Sequence, residues 1–455
     1  MTPASQTMLT SRAPSSGSRD SRRVGIGPRY LLRARRSSHS LPQASSVQEN
    51  RPAARTLRAM SYRSARVAVL ALMCSSAILC AQELAPPVPQ KLTVRSQVLN
   101  EDRTIWVRMP AAAQGRNERY AVAYLTDGGA NVNEIGAIID FLAGANLMPP
   151  LIVVGITNTD RVRDLTPSKA DVKNSDGTVD SYPTSGGADK FLDFVQSELV
   201  PEIEKRYPAQ PFRIIVGHSL GGLFAIHALM SRPQLFQACI ATSPSLWWDD
   251  FHTLRQAQKF FPGQKEFPKT LFFALGREGG PMAKGFADLR KVFISEQPKG
   301  FVVRSAHYED EVHRSTELRG HYEGLRTIFS GWTVPTDPKT GRARGGLAGI
   351  EQHYRGLSQR LGFQVSAERA INSFGYSLLG DKNISGALAA FQRNVELYPG
   401  SANVYDSLAD ALEAEGKVED ALANVRKAVD LATRTGDPEL PAFRRHLDRL
   451  LTPRK

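Results

Sequence analysis

The chain has 455 residues, 41% apolar and 23% charged, an ordinary globular composition with room for two or three domains. Its formal charge of +13 suggests a nucleic-acid partner, but the distribution excludes one. Residues 1–81 carry thirteen arginines against Asp20 and Glu49, a net +11, so the rest of the chain holds only +2.

Residues 1–59 are rich in Ser, Arg and Ala without apolar periodicity, and read as a disordered basic extension. Residues 60–81, "MSYRSARVAVLALMCSSAILCA", join a positive start (Arg63, Arg66) to an apolar run from Val67 to Leu79 and then to small residues. That is a secretory signal peptide, too short for a comfortable membrane span. A signal peptide opens a protein, so Met60 is the expected start. The expected product is a bacterial periplasmic or secreted chain beginning near Gln82, with no stable span after cleavage. Cys74 and Cys80 lie in the signal, which leaves Cys239 without a disulfide partner and reads it as a small core residue.

Beyond Gln82, apolar runs alternate with helical patterns. "RTIWVRM" (103–109) alternates like a half-buried strand. The runs at 120–125, 151–157, 212–217, 238–242, 270–275 and 301–307 are nearly continuous, as in strands covered on both faces. Helical spacing marks 133–147, 188–206, 220–230, 285–297 and 321–330. The alternation predicts an α/β domain over 82–332 with a mostly parallel sheet. "GWTVPTDPKTGRARGG" opens an expected linker, 333–366. Residues 367–455 read as helical. There Ala387/Ala421, Leu388/Leu422, Phe391/Val425 and Val395/Val429 recur at a period of 34, as do Ile371/Tyr405 and Leu378/Leu412, which resembles tetratricopeptide repeats. Two such units need capping, expected against the α/β domain.

"IIVGHSLGG" places Gly217-His218-Ser219-Leu220-Gly221 between a buried strand and a helix. This G-x-S-x-G context predicts a nucleophilic serine on a sharp turn, with the Leu220 backbone N–H aimed at an attacked carbonyl oxygen. A base must follow in chain order. His307, His313 and His321 remain as candidates, and His313 lies in the loop past the last strand, where the base belongs. The orienting acid should follow the preceding strand, which selects Glu278; Asp249 and Asp250 are rivals and Asp288 a weaker one. Gly128, in "TDGGANV", is the expected second oxyanion donor. Trp247 and Trp248 are candidates for the wall of an acyl or aromatic pocket, or for a core aromatic pair. Arg161 and Arg163 are candidates for an anionic substrate group, or for ion pairs with Asp160 or Asp164. The histidine spacing matches no metal-ligand pattern, and no cofactor is implied.

With these residues placed, the chain resembles the esterase family of α/β-hydrolases that includes esterase D, the antigen 85 mycolyltransferases and the Fes- and IroE-type siderophore esterases. The resemblance covers about residues 90–331 and rests on "YLTDGGANV", "GITNTDRVRDLTP", "VGHSLGGLFA", "ATSPSLWW" and "DEVHRS". It implies an α/β-hydrolase fold, with Ser219 as nucleophile, His313 as base and Leu220 and Gly128 as oxyanion donors. The pairing of "RVRDLTP" with "SPSLWW" is most similar to the siderophore-esterase branch, some of whose members manage without a clear acid. The expected activity is hydrolysis of a small-molecule carboxylic ester through an acyl-enzyme. The alternatives are acyl transfer from the same nucleophile, and a binding module that recruits a protein partner through its repeats.

Overall fold

The computed structural model describes residues 87–111, 118–173 and 176–452. The basic extension, the signal peptide and the expected start near Gln82 lie outside these residues. Among the described residues no helix is long and apolar enough to cross a membrane.

The described residues form ten strands: β1 (Gln90–Ser96), β2 (Glu101–Arg108), β3 (Tyr120–Leu125), β4 (Leu151–Ile156), β5 (Val172–Lys173), β6 (Val179–Asp180), β7 (Ala209–His218), β8 (Ala238–Thr242), β9 (Thr270–Leu275) and β10 (Val302–His307). Eight of them build one sheet in the order β1-β2-β4-β3-β7-β8-β9-β10, while β5 and β6 make a separate hairpin. The pairs β1/β2 and β2/β4 are antiparallel, and the other pairs in the large sheet are parallel. Every residue of β3, β4 and β8 is buried, which explains their continuous apolar runs. Successive residues still divide between faces. Val122 and Tyr124 enter one core, and Ala121, Ala123 and Leu125 the other.

Helices cover both faces. On the first lie α3 (Ala188–Phe194), α4 (Val200–Arg206), α5 (Leu220–Ser231), α6 (Trp248–Phe260) and α7 (Gly280–Ser295), contributing Phe191, Ile203, Phe224, Leu254 and Leu289 to its core. On the second lie α1 (Gly128–Gly144) and α8 (Thr316–Ile328), through Ile135, Ile139, Leu142 and Leu325. A short α2 (Arg161–Leu165) follows β4. The sheet is mixed only at the β1–β2 end, and the arrangement is that of an α/β-hydrolase-like fold.

The expected linker needs correction. Within 333–366 the chain forms α9 (Gly346–Leu361), whose Ile350, Tyr354, Leu357 and Leu361 join the second-face core. Pro, Gly and charge fill only the approach to this helix, and its apolar residues recur at helical spacing. Arg360 ties it down further by donating to the carbonyls of Ile328 and Ser330. Then come α10 (Glu368–Gly380), α11 (Ile384–Leu397), α12 (Ala402–Glu415), α13 (Val418–Thr435) and α14 (Leu440–Leu451). α12 begins 34 residues after α10, and α13 begins 34 after α11, matching the sequence period. Phe391 is fully buried among Leu378, Leu388, Leu408, Leu412 and Val425. Gly375 lets that ring close in, since a Cβ there would lie 2.5 Å from Phe391 Cε1. Phe391→Ala should therefore destabilise the helical region by about 3–5 kcal/mol, read as a lower urea midpoint by far-UV circular dichroism.

Candidate active site

β7 ends at His218 and α5 starts at Leu220, so Ser219 alone makes the turn. It does so with φ 58° and ψ −116°, a conformation that residues with a Cβ rarely adopt. Two glycines permit the closeness. A Cβ on Gly217 would stand 2.1 Å from the Gly221 carbonyl oxygen, and one on Gly221 would stand 2.2 Å from Thr126 Oγ1. Hydrogen bonds hold the turn in place. Ser219 N–H donates to Thr242 O, and Ser219 O accepts from the N–H groups of Leu223 and Ser245, all at 3.0 Å. Leu220 is the first helical residue, where a backbone N–H has no acceptor within the helix.

His313 and Glu278 come together from the loops after β10 and β9. His313 Nδ1 hydrogen-bonds Glu278 Oε1, while Glu278 Oε2 accepts from Ser243 Oγ at 2.8 Å and from Gly276 N–H at 2.9 Å. Burial would raise the Glu278 carboxyl, but the hydrogen bonds from His313 and Ser243 outweigh it and hold the group below its usual range. The rival acids are engaged elsewhere: Asp249 pairs with His252, Asp250 with Arg255, and Asp288 with Lys284 and Lys291. Ser219 Oγ meets Ser245 Oγ at 3.2 Å, and the His313 ring stands 4.5 Å from the His218 ring, centroid to centroid.

The other candidate histidines hold other partners. His307 Nε2 contacts Gly276 O at 3.0 Å, and buried His321 contacts Glu134 through Nδ1 at 3.1 Å. His218 packs between His313 and the buried Glu317, whose other oxygen accepts from Asn131 at 2.7 Å. Burial pushes the His218 ring down to about 3, and the neighbouring His313 and His321 rings act in the same direction. His218 is therefore neutral at ordinary pH. Burial pushes the Cys239 thiol up, so it is an inert core residue.

Gly128 opens α1, as a backbone donor there must, yet its glycine identity has a different cause. A Cβ would lie 2.1 Å from Gly155 Cα, so the residue is small to let α1 cross β4. Asp127, just before it, takes φ 56° and grips Arg161 through both carboxylate oxygens, at 2.8 and 3.0 Å. Arg161 also donates to His218 O at 3.3 Å. It pairs with Asp127 rather than with Asp160, which caps α2, or with Asp164. Arg163, with Asp164, belongs to a buried cluster in which fully buried Arg103 holds Glu101 and Asp164 at 2.7 Å each. Burial would raise Glu101, but hydrogen bonds from Arg163 and Arg103 bring it down to about 2. Trp248 is 1% exposed, donates its indole N–H to Ser168 O and meets Tyr182 edge-on, so it is a core residue with no face for a substrate. Trp247 stays partly exposed beside it. Sequence reasoning did not single out Ser243 and Ser245; the one sign was "SPS" closing the strand next to the elbow.

Residues 96–268 match the Putative esterase family. The chain is 44% identical over 82 residues to the siderophore triacetylfusarinine C esterase of Aspergillus fumigatus, covering 18% of this chain and 28% of that protein. It is 38% identical over 122 residues to the ferri-bacillibactin esterase BesA of Bacillus subtilis, covering 24% of this chain and 42% of that protein. The matches thus span less than half the length of either relative. The crystal structure of an IroE-like serine hydrolase from Shewanella oneidensis is 27% identical, covers 68% of this chain and 98% of its own, and superposes with a TM-score of 0.59.

Two expectations follow from the site's electrostatics. Asp164→Ala, which leaves Arg103 buried with half its charge partners, should cost about 3–5 kcal/mol in denaturant unfolding. For His218, the unfolded chain binds its proton near pH 6.5 and the folded chain only near 3. Stability is then fully present above pH 6.5 and falls on acidification, by up to about 1.4 kcal/mol per pH unit from this one group. Between pH 6.5 and about 5.5, where carboxylates at their ordinary values stay ionised, His218→Gln should show a shallower slope than wild type in urea titrations.

Proposed function

We propose that this protein is an exported serine esterase that cleaves carboxylic esters through an acyl-enzyme, with a siderophore lactone or a related multi-ester as substrate. The observation that carries the reading is the His313–Glu278 pair, whose imidazole meets the ring of His218, the residue before Ser219 on its strained turn. The substrate class draws support from the siderophore esterases to which the chain is similar.

In this reading Glu278 accepts the Nδ1–H of His313, which leaves Nε2 as the proton acceptor. The Ser219 side chain turns from Ser245 toward that nitrogen and attacks the ester carbonyl carbon, while its proton passes to His313. The N–H groups of Leu220 and Gly128 receive the oxyanion. Collapse expels the alcohol, protonated by His313, and leaves the acyl group on Ser219 Oγ. Water, deprotonated by the same imidazole, then attacks the acyl carbon and frees the acid. Arg161 and the Asp127 it holds lie beside the turn, where Arg161 also reaches the His218 carbonyl, and the partly exposed Trp247 is a candidate to pack against an aryl group. The helical tail is a tetratricopeptide-like pair of repeats that serves as a docking face for a protein partner.

Purified protein should hydrolyse p-nitrophenyl butyrate and become labelled by a fluorophosphonate probe at Ser219. Absence of both from folded protein would end the esterase reading. Ser219→Ala and His313→Ala should each lower kcat on the order of 10⁴-fold or more, and the double variant should be little worse, because the two act as one unit. Glu278→Gln should cost less, since Ser243 and Gly276 still hold the side chain. Turnover of enterobactin- or bacillibactin-type lactones, compared with feruloyl and acetyl esters, tests the substrate class.

A further inference from the structure

A second cluster of chemistry-bearing groups lies far along the chain, between α12 and α14. His446 of α14 is only 9% exposed. Its Nδ1 is held by Asp406 Oδ1 at 2.7 Å, which turns Nε2 inward. Nε2 is buried and has no hydrogen-bond partner. It faces Asp410 Oδ1 at 3.6 Å and Glu413 Oε2 at 3.9 Å. The remaining oxygen of each acid is anchored: Tyr376 O–H donates to Asp410 Oδ2 at 2.8 Å, and Arg449 holds Glu413 Oε1 at 2.7 Å.

We propose that His446 Nε2, Asp410 Oδ1 and Glu413 Oε2 form a binding site for one divalent transition-metal ion, zinc foremost. Three observations carry this. A tetrahedral ion with bonds of about 2.0–2.2 Å sets its ligand atoms about 3.4 Å apart; His446 Nε2 already stands 3.6 and 3.9 Å from the two acid oxygens, and all three atoms lie within 4.8 Å of one another. An Nδ1–H···carboxylate bond is the device that fixes an imidazole for metal binding through its other nitrogen, and Asp406 supplies it. His446 is itself nine-tenths buried, and its Nε2 has no hydrogen-bond partner and faces both acids. An imidazole with two carboxylates favours a transition metal over magnesium or calcium. Asp410 is partly exposed, so water can enter and complete the coordination. The ligands come from helices distant in sequence, so no local spacing announced them. The bound ion would join the last helix to the repeat beneath it.

The test uses the full mature chain, stripped with a chelator and titrated with zinc against a chromophoric competitor. Wild type should bind one equivalent that Asp410→Asn and Glu413→Gln lose and His353→Gln retains. His353 lies on α9 against the Trp332 carbonyl, so its variant reports the loss of a histidine outside the cluster. Asp406→Asn should weaken binding by about 10–100-fold. Zinc should raise the melting temperature of wild type but not of Asp410→Asn, and zinc-edge absorption should show nitrogen and oxygen ligands without sulfur. Asn at 410 keeps the side chain's size and an acceptor for Tyr376, so its circular dichroism should match wild type and its lost binding reports the site. Equal zinc uptake by wild type and both acid variants, or stabilisation by magnesium matching that by zinc, would overturn the proposal. His446 would then serve only as a cation held among acids.

Discussion

A serine with a positive φ sets the terms for everything around it. Ser219 cannot relax without pulling the end of β7 from the start of α5, and what prevents this is bulk and bonding in its neighbours. Gly217 and Gly221 remove the bulk, Thr242 accepts the Ser219 N–H, and Thr126 fills the space that the absent Cβ of Gly221 leaves. The strain is stored at the point where two cores meet, since β7 sends Ile215 to one face and Ile214 and Val216 to the other. Packing on both sides therefore supplies the rigidity that the turn lacks.

Around this turn the charges are sorted by depth. The exposed end carries the His313–Glu278 pair, in which the carboxylate is kept ionised by donors on both oxygens. The inner end carries His218, kept neutral by burial even though Glu317 lies near. A separate layer of charge supports the rim. Arg103 and Asp164 fix α2, α2 presents Arg161, and Arg161 fixes Asp127 at the start of α1. "RVRDL" is therefore two devices in one stretch, with Arg161 turned to the site edge and Arg163 with Asp164 turned to a buried ion cluster.

Residues whose role is local were legible in the sequence. The G-x-S-x-G run between strand and helix needs only its neighbours to be read, and the buried strands needed only their apolar runs. Glu278 could be selected by the loop it occupies, but its meeting with His313 depends on two loops from adjacent strands. Residues whose meaning is set by distant partners were not legible. Gly128 looked like a residue freed for substrate, and the reason for its size is Gly155, on a different strand. Trp248, which follows a strand end, could be read as pocket wall or as core, and only Tyr182 and Ser168, both from the long excursion before α3, decide for the core. α9 was hidden by the Pro- and Gly-rich approach that precedes it. β1 was missed because only one of its faces is buried.

The shared second-face core has a consequence for how the molecule is made. Ile350, Tyr354, Leu357 and Leu361 add to a layer most of whose other members lie between Ala121 and Phe329. A chain that emerges N-terminus first must hold part of that sheet face uncovered until α9 has followed it. Contacts of such long sequence separation form slowly. The tail is thus a late-arriving cover, and a ribosome that stalled before residue 346 would release a sheet with an apolar flank open to aggregation.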